Sequence, residues 1–209
     1  METITAIPYI IYVEGTPNPS SMKFVANKVL INEKGATAEY NNVSETQTAP
    51  IAKQLFQFPF VKKIFVSSNY ITITKIDAVS WDDISLELRV FITEYLNAGK
   101  LIITALPKQE VAIDNTFTET KTISTQHVAP QNEVEAKIVE VLEQYIRPAV
   151  ENDGGLITFK SLVDGVVTVQ MRGSCSGCPS STLTLKAGIE ALLKRLLPDA
   201  VKEVVSEAL

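Results

Sequence analysis

The sequence predicts an α+β protein, two small α/β domains joined by a flexible linker, the second in α-β-β-α-β order. Three observations lead there. Period-two apolar runs and helically spaced apolar runs alternate on both sides of one polar stretch. That stretch, residues 107–130, is rich in Thr, Gln, Asn, Glu and Ser and keeps no period, as an extended linker does. The chain's 209 residues, 45% hydrophobic and 21% charged, suffice for two ordinary globular domains. The predicted boundaries are residues 8–105, 106–131 for the linker, and 132–209.

In the first domain, residues 9–13 form a β-rich run closed by Thr16-Pro17-Asn18-Pro19, a rigid turn that is also a candidate recognition loop. Residues 22–25 and 28–31 read as short strands or one interrupted strand. A short helix is predicted over 49–56, with Pro50 in its first turn, where a missing N–H costs nothing. Residues 61–66 and 70–75 read as a hairpin around Ser67-Ser68-Asn69. Tyr70, Thr72 and Thr74 alternate with Ile71, Ile73 and Lys75, which predicts one buried face. Ser80 then caps a helix, with Asp83 as capping-box partner and Ile84, Leu88, Phe91, Ile92, Tyr95 and Leu96 as its stripe; Gly99 ends it.

The linker holds the chain's one histidine, His127, which reads as a solvated side chain without a role. The second domain opens with Asn132 as a helix cap and Glu135 as its partner. Val134, Ile138, Val141, Leu142 and Tyr145 form the apolar stripe, and Arg147-Pro148 limits the helix. Strands at 156–161 and 166–171 are joined by Asp164-Gly165, a hairpin turn. A helix over 179–197 buries Leu185, Ile189, Leu192, Leu193 and Leu196, and a last strand follows at 201–205.

A net charge of −5, with no basic cluster, argues against nucleic acid as a partner. No apolar run is long enough for a membrane-spanning helix. The first residues show neither a signal-peptide core nor an Arg-rich transit pattern, so the expected compartment is a bacterial cytoplasm. A reducing cytosol favours metal binding or redox chemistry for paired thiols over a structural disulfide.

The only cysteines, Cys175 and Cys178, stand in Gly173-Ser174-Cys175-Ser176-Gly177-Cys178-Pro179-Ser180-Ser181. Pro179 suits the first helical position, which puts Cys178 at the cap and Cys175 in the loop before it. There the helix dipole and free N–H groups favour thiolate and lower its pKa. Flanking Gly, Ser and Pro make a buried core role unexpected. Two thiolates do not complete a four-coordinate site, so a metal bound here takes further ligands from a second copy or a small molecule. Thiol–disulfide exchange by the same pair, and zinc shared between two chains, are the alternatives.

The cysteine motif, continued by Thr184-Leu185-Lys186-Ala187-Gly188-Ile189-Glu190 and preceded by Arg147-Pro148 and Asn152-Asp153-Gly154-Gly155, resembles the C-terminal Nfu domain of NifU. Residues 14–24, with Phe65-Val66, residues 70–75 and the Trp81 helix, resemble the Nfu/NifU N-terminal domain. The resemblance implies a non-enzymatic iron–sulfur cluster scaffold or carrier. Cys175 and Cys178 of two chains would hold one 4Fe-4S cluster between subunits, accepted from an upstream donor and delivered to apoproteins. The first domain would help engage those clients. One position departs: the family commonly has an acidic residue after the glycine pair, where this chain has Leu156, from which only a local surface change is expected.

Overall fold

The computed structural model describes residues 7–33, 35–106, 127–176 and 179–208. Its first half is an antiparallel sheet of β1 (Ile11–Gly15), β2 (Ser21–Ala26), β3 (Ala38–Tyr40), β4 (Val61–Val66) and β5 (Tyr70–Lys75), in the order β1-β2-β5-β4-β3. Helices α1 (Pro50–Leu55) and α2 (Trp81–Asn97) cover one face. Strand alternation explains the division. Phe24, Ala38, Tyr40, Ile64, Val66, Ile71 and Ile73 join Ile51, Leu55, Ile84, Leu88 and Ile92 in one core. Lys23, Glu39, Phe65, Tyr70 and Thr72 are the intervening residues and belong to the opposite face.

Several elements stand as their sequence predicts. The hairpin strands run over residues 61–66 and 70–75, Pro50 opens α1, and Gly99 adopts φ +67 after α2. The Ser80 hydroxyl caps α2 by accepting from the Asp82 N–H at 3.3 Å, one residue short of the expected capping-box geometry. Residues 28–31 are not a strand. Leu30 and Ile31 donate their N–H groups to the Ser68 carbonyl, which ties them to the hairpin turn. Strand β3 was not expected from sequence; three residues are too few to show a period.

The second half pairs β6 (Gly155–Val163) with β7 (Val166–Gly173) as a hairpin, and β8 (Glu203–Ala208) lies parallel to β7. Asp164 (φ 51) and Gly165 (φ 85) make its turn, both left-handed as a tight hairpin turn requires. Helices α3 (Glu133–Val141), α4 (Arg147–Asn152) and α5 (Pro179–Leu196) supply the other layer. Ile138, Val141, Leu142, Val150, Ile157, Phe159, Val169, Ile189 and Leu193 are buried together. Asn132 accepts from Glu135 N–H at 2.9 Å and Glu135 from Gln131 N–H at 2.7 Å, so the expected cap forms.

Arg147-Pro148 does not end that helical run. A wide π-type turn over Leu142–Ile146 absorbs the proline, and α4 continues beyond it with Pro148 in its first turn. The inserted residue rotates the apolar stripe, so Tyr145 is exposed and Ile146 packs inward instead. Leu196, expected on the buried face of α5, is also largely exposed.

The linker expectation over residues 107–126 lies outside the described residues. His127 is not the solvated side chain expected. Its Nδ1 accepts from Phe159 N–H at 2.8 Å, while Val128 N–H donates to the Phe159 carbonyl at 2.9 Å, extending the β6 edge. Nε2 faces the Glu143 carboxylate. Burial holds the imidazole pKa below its ordinary 6.5, against the pull of Glu143. A base depressed in the fold takes up protons more readily unfolded, so its stabilisation is full above pH 6.5 and declines as pH falls below it. Unfolding free energy measured by urea titration is expected to fall on acidification through this window, and His127→Gln, which keeps an acceptor, is expected to reduce that slope.

Candidate cluster-binding site

The Cys175 loop is set by three glycines and the two strands it joins. Gly154 (φ +79) and Gly173 (φ +67) occupy conformations that side chains rarely adopt. Gly155 pairs with Gly173 across the start of the hairpin, and a Cβ on Gly155 would lie 2.7 Å from Cys175 Sγ and 2.8 Å from the Arg172 carbonyl. The glycine pair is thus the floor on which the thiol rests. Ser174 N–H donates to the Gly154 carbonyl at 3.2 Å, Ser174 Oγ donates to the Asp153 carbonyl, and Ser176 Oγ donates to the Gly173 carbonyl at 2.9 Å. The Thr182 hydroxyl, in the first turn of α5, donates to the Cys175 carbonyl at 3.1 Å. Pro179 begins α5, as expected. Cys178 lies outside the described residues.

Cys175 is only 7% exposed, contrary to expectation. Burial pushes its thiol pKa up, the Ser174 hydroxyl 3.7 Å from Sγ partly offsets this, and Asp153 adds to it. The direction is thus the opposite of the lowering expected at a helix start, and desolvation is its main cause.

The thiol lies among the second domain's own core residues, while the backbone around it is held by the other domain. Asn18 Nδ2 donates to the Ser174 carbonyl at 3.0 Å, Thr72 Oγ1 to the Gly154 carbonyl at 2.8 Å, and Tyr70 OH to the Gly155 carbonyl at 3.2 Å. Lys23 Nζ donates to the Asn152 carbonyl at 3.0 Å. Glu39, its side chain 4% exposed, accepts from Gly173 N–H at 3.1 Å and pairs with Lys63 at 3.2 Å; Lys63 donates on to Ser176 Oγ at 3.0 Å. At the centre Leu156 is buried with Phe65 and Tyr70. Leu156 is thus no mere surface change: it is an apolar anchor between domains, whose burial contributes on the order of 2 kcal/mol.

From sequence, none of these first-domain residues had a role at the cysteine loop; Tyr70 and Thr72 were read only as strand residues, and the Asn18 turn only as a candidate recognition loop. One signal was present. In β5 both alternating sets are buried, Tyr70 and Thr72 as well as Ile71 and Ile73, because the second domain covers the face expected to be open. Beside the loop, Pro17, Asn18, Asp153, Ser174, Cys175, Thr184 and Leu185 line a cleft of about 420 Å³.

Residues 11–99 match the family described as scaffold protein Nfu/NifU N terminal, and residues 138–205 match the NifU-like domain. The chain belongs to the Nfu/NifU family. It is 36% identical over 200 residues to the NFU1 iron-sulfur cluster scaffold homolog, mitochondrial, of Drosophila willistoni, spanning 95% of this chain and 64% of that protein. It is 37% identical to NifU-like protein 4, mitochondrial, of Arabidopsis thaliana, over 94% of this chain and 65% of the relative. NifU-like protein 5, mitochondrial, of the same plant is 34% identical, with 67% of its length covered. The chain spans somewhat less than two thirds of the first two relatives.

These relatives are mitochondrial by name, which overturns the bacterial cytoplasmic localisation expected from the first residues. A chain that spans only part of its relatives carries no compartment information in where it starts, so its first residues were no evidence.

Gly155→Ala is expected to destabilise the protein by about 1–3 kcal/mol through overpacking against Cys175. Gly188→Ala, on an open helical position with nothing within 4 Å, is expected to stabilise it by about 0.5–1 kcal/mol. Denaturant titration of both variants checks the pair.

Proposed function

We propose that this protein is a non-enzymatic iron–sulfur scaffold or carrier. It binds a 4Fe-4S cluster between two copies and passes it to apoproteins. The observation that carries this reading is the Cys175 loop itself: a thiol packed on Gly155 with the Ser174 hydroxyl beside it, immediately ahead of α5. With Cys178, it offers two sulfur ligands per chain. A cubane cluster takes four thiolates, so two chains meet the demand that one does not. Among the described residues no group of three or more His, Cys, Asp or Glu side chains is placed to hold a metal ion.

The chemistry of the loop suits cargo rather than a resident group. The helix start presents partial positive charge to a sulfur-rich anion. A cluster held at a junction of two chains by a pair of thiolates from each is released when the chains part, which delivery requires. An upstream donor and client apoproteins are the corresponding partners. Names of relatives as iron–sulfur cluster scaffolds support the reading.

Anaerobic reconstitution with iron and sulfide, followed by Mössbauer spectroscopy on the size-separated protein, tests it. Four irons and four sulfides per dimer are expected, from the four-thiolate cluster, and Cys175→Ala or Cys178→Ala should each abolish cluster retention. A colourless monomer that turns over in a metal-free disulfide-reduction assay would replace this reading with dithiol exchange.

A further inference from the structure

The polar face of the first sheet forms a fitted seat for the chain's own cysteine loop. Its groups are matched one to one. Thr72 and Tyr70 satisfy the successive carbonyls of Gly154 and Gly155, Asn18 satisfies that of Ser174, and the Glu39 carboxylate takes the Gly173 N–H. Position 154 is sterically keyed as well. Any Cβ there would stand 2.8 Å from Thr72 Oγ1. Leu156 occupies the outer face of the second sheet, opposite Ile157 and Phe159 of its own core, yet it is 1% exposed because Phe65 and Tyr70 receive it.

We propose that the first domain is a built-in guard of the unloaded site. Its sheet face docks on the Cys175 loop of the same chain and shields the thiol, and it must undock before a second chain can reach Cys175. Pro17 and Asn18 form one wall of the cleft beside the thiol, on the side of the guard. Glu39 occupies the N–H of Gly173, a donor that a sulfur-rich anion would otherwise use. The seat is suited to reversal. One small apolar cluster anchors it and the remaining contacts are polar, which is the character of interfaces that open. The interplay with a second chain rests on the carrier reading; the shielding does not.

Two variants in full-length protein test this, one on each side of the seat. Leu156→Asp puts a carboxylate between Phe65 and Tyr70, and Thr72→Arg puts a long cation against Gly154. Both side chains point away from their own domain's core, and circular dichroism checks the fold of each. Iodoacetamide alkylation of metal-free protein at one fixed pH is followed by fragment mass spectrometry of tryptic peptide 173–186, which separates Cys175 from Cys178. Cys175 is expected to react about tenfold faster in both variants, because a shielded thiol reacts only from the open population. An unchanged rate in folded variants would overturn the guard. In parallel reconstitutions the variants are expected to take up iron faster than the wild type. Equal uptake would overturn the competition with the second chain. Faster alkylation with no cluster in any protein would keep the shield and reject the carrier reading.

Discussion

Leu156 wedged between Phe65 and Tyr70, with the Gly154-Gly155 carbonyls held by Thr72 and Tyr70, is the contact on which the state of the functional loop depends. Each domain has its own core and needs no help from the other to bury it. What the contact decides is how the backbone around Cys175 is held. The thiol itself lies among the second domain's core residues, where burial raises its pKa.

The magnitudes suit a docking that holds and can still be undone. Burying one leucine contributes about 2 kcal/mol, and neutral hydrogen bonds net about 1 kcal/mol each. The Glu39–Lys63 pair is different in kind, because Glu39 is buried by the docking and its Oε2 has no partner among the described residues. Its desolvation opposes the docking, while the attraction of Arg172 in the second domain favours it. Because both domains belong to one chain, tethering lowers the entropic cost of bringing them together.

Much of the fold was legible because it is local. The alternation in β4 and β5, the stripe of α2, the Asn132 cap and the Asp164-Gly165 turn each declare themselves within a few residues. The misreadings share a non-local cause. Residues 28–31 look like a strand, but their N–H groups are taken by a turn carbonyl almost forty positions on. His127 looks like a linker residue until Phe159 supplies its partner. Tyr145 fits a regular helix, and only the π-type turn forced near Pro148 expels it. At the site, the Cys175 motif was legible, whereas the docking on its backbone was not, because Glu39, Lys63 and Thr72 announce no pairing until the two domains meet.

The most direct measurement is a nuclear Overhauser experiment on the full-length, metal-free protein with labelled leucine methyls. Cross-peaks from the Leu156 methyls to the Phe65 and Tyr70 rings are expected, with methyl resonances moved by the ring currents. Leu156 methyls at solvent-exposed shifts, with no contact to either ring, would contradict it.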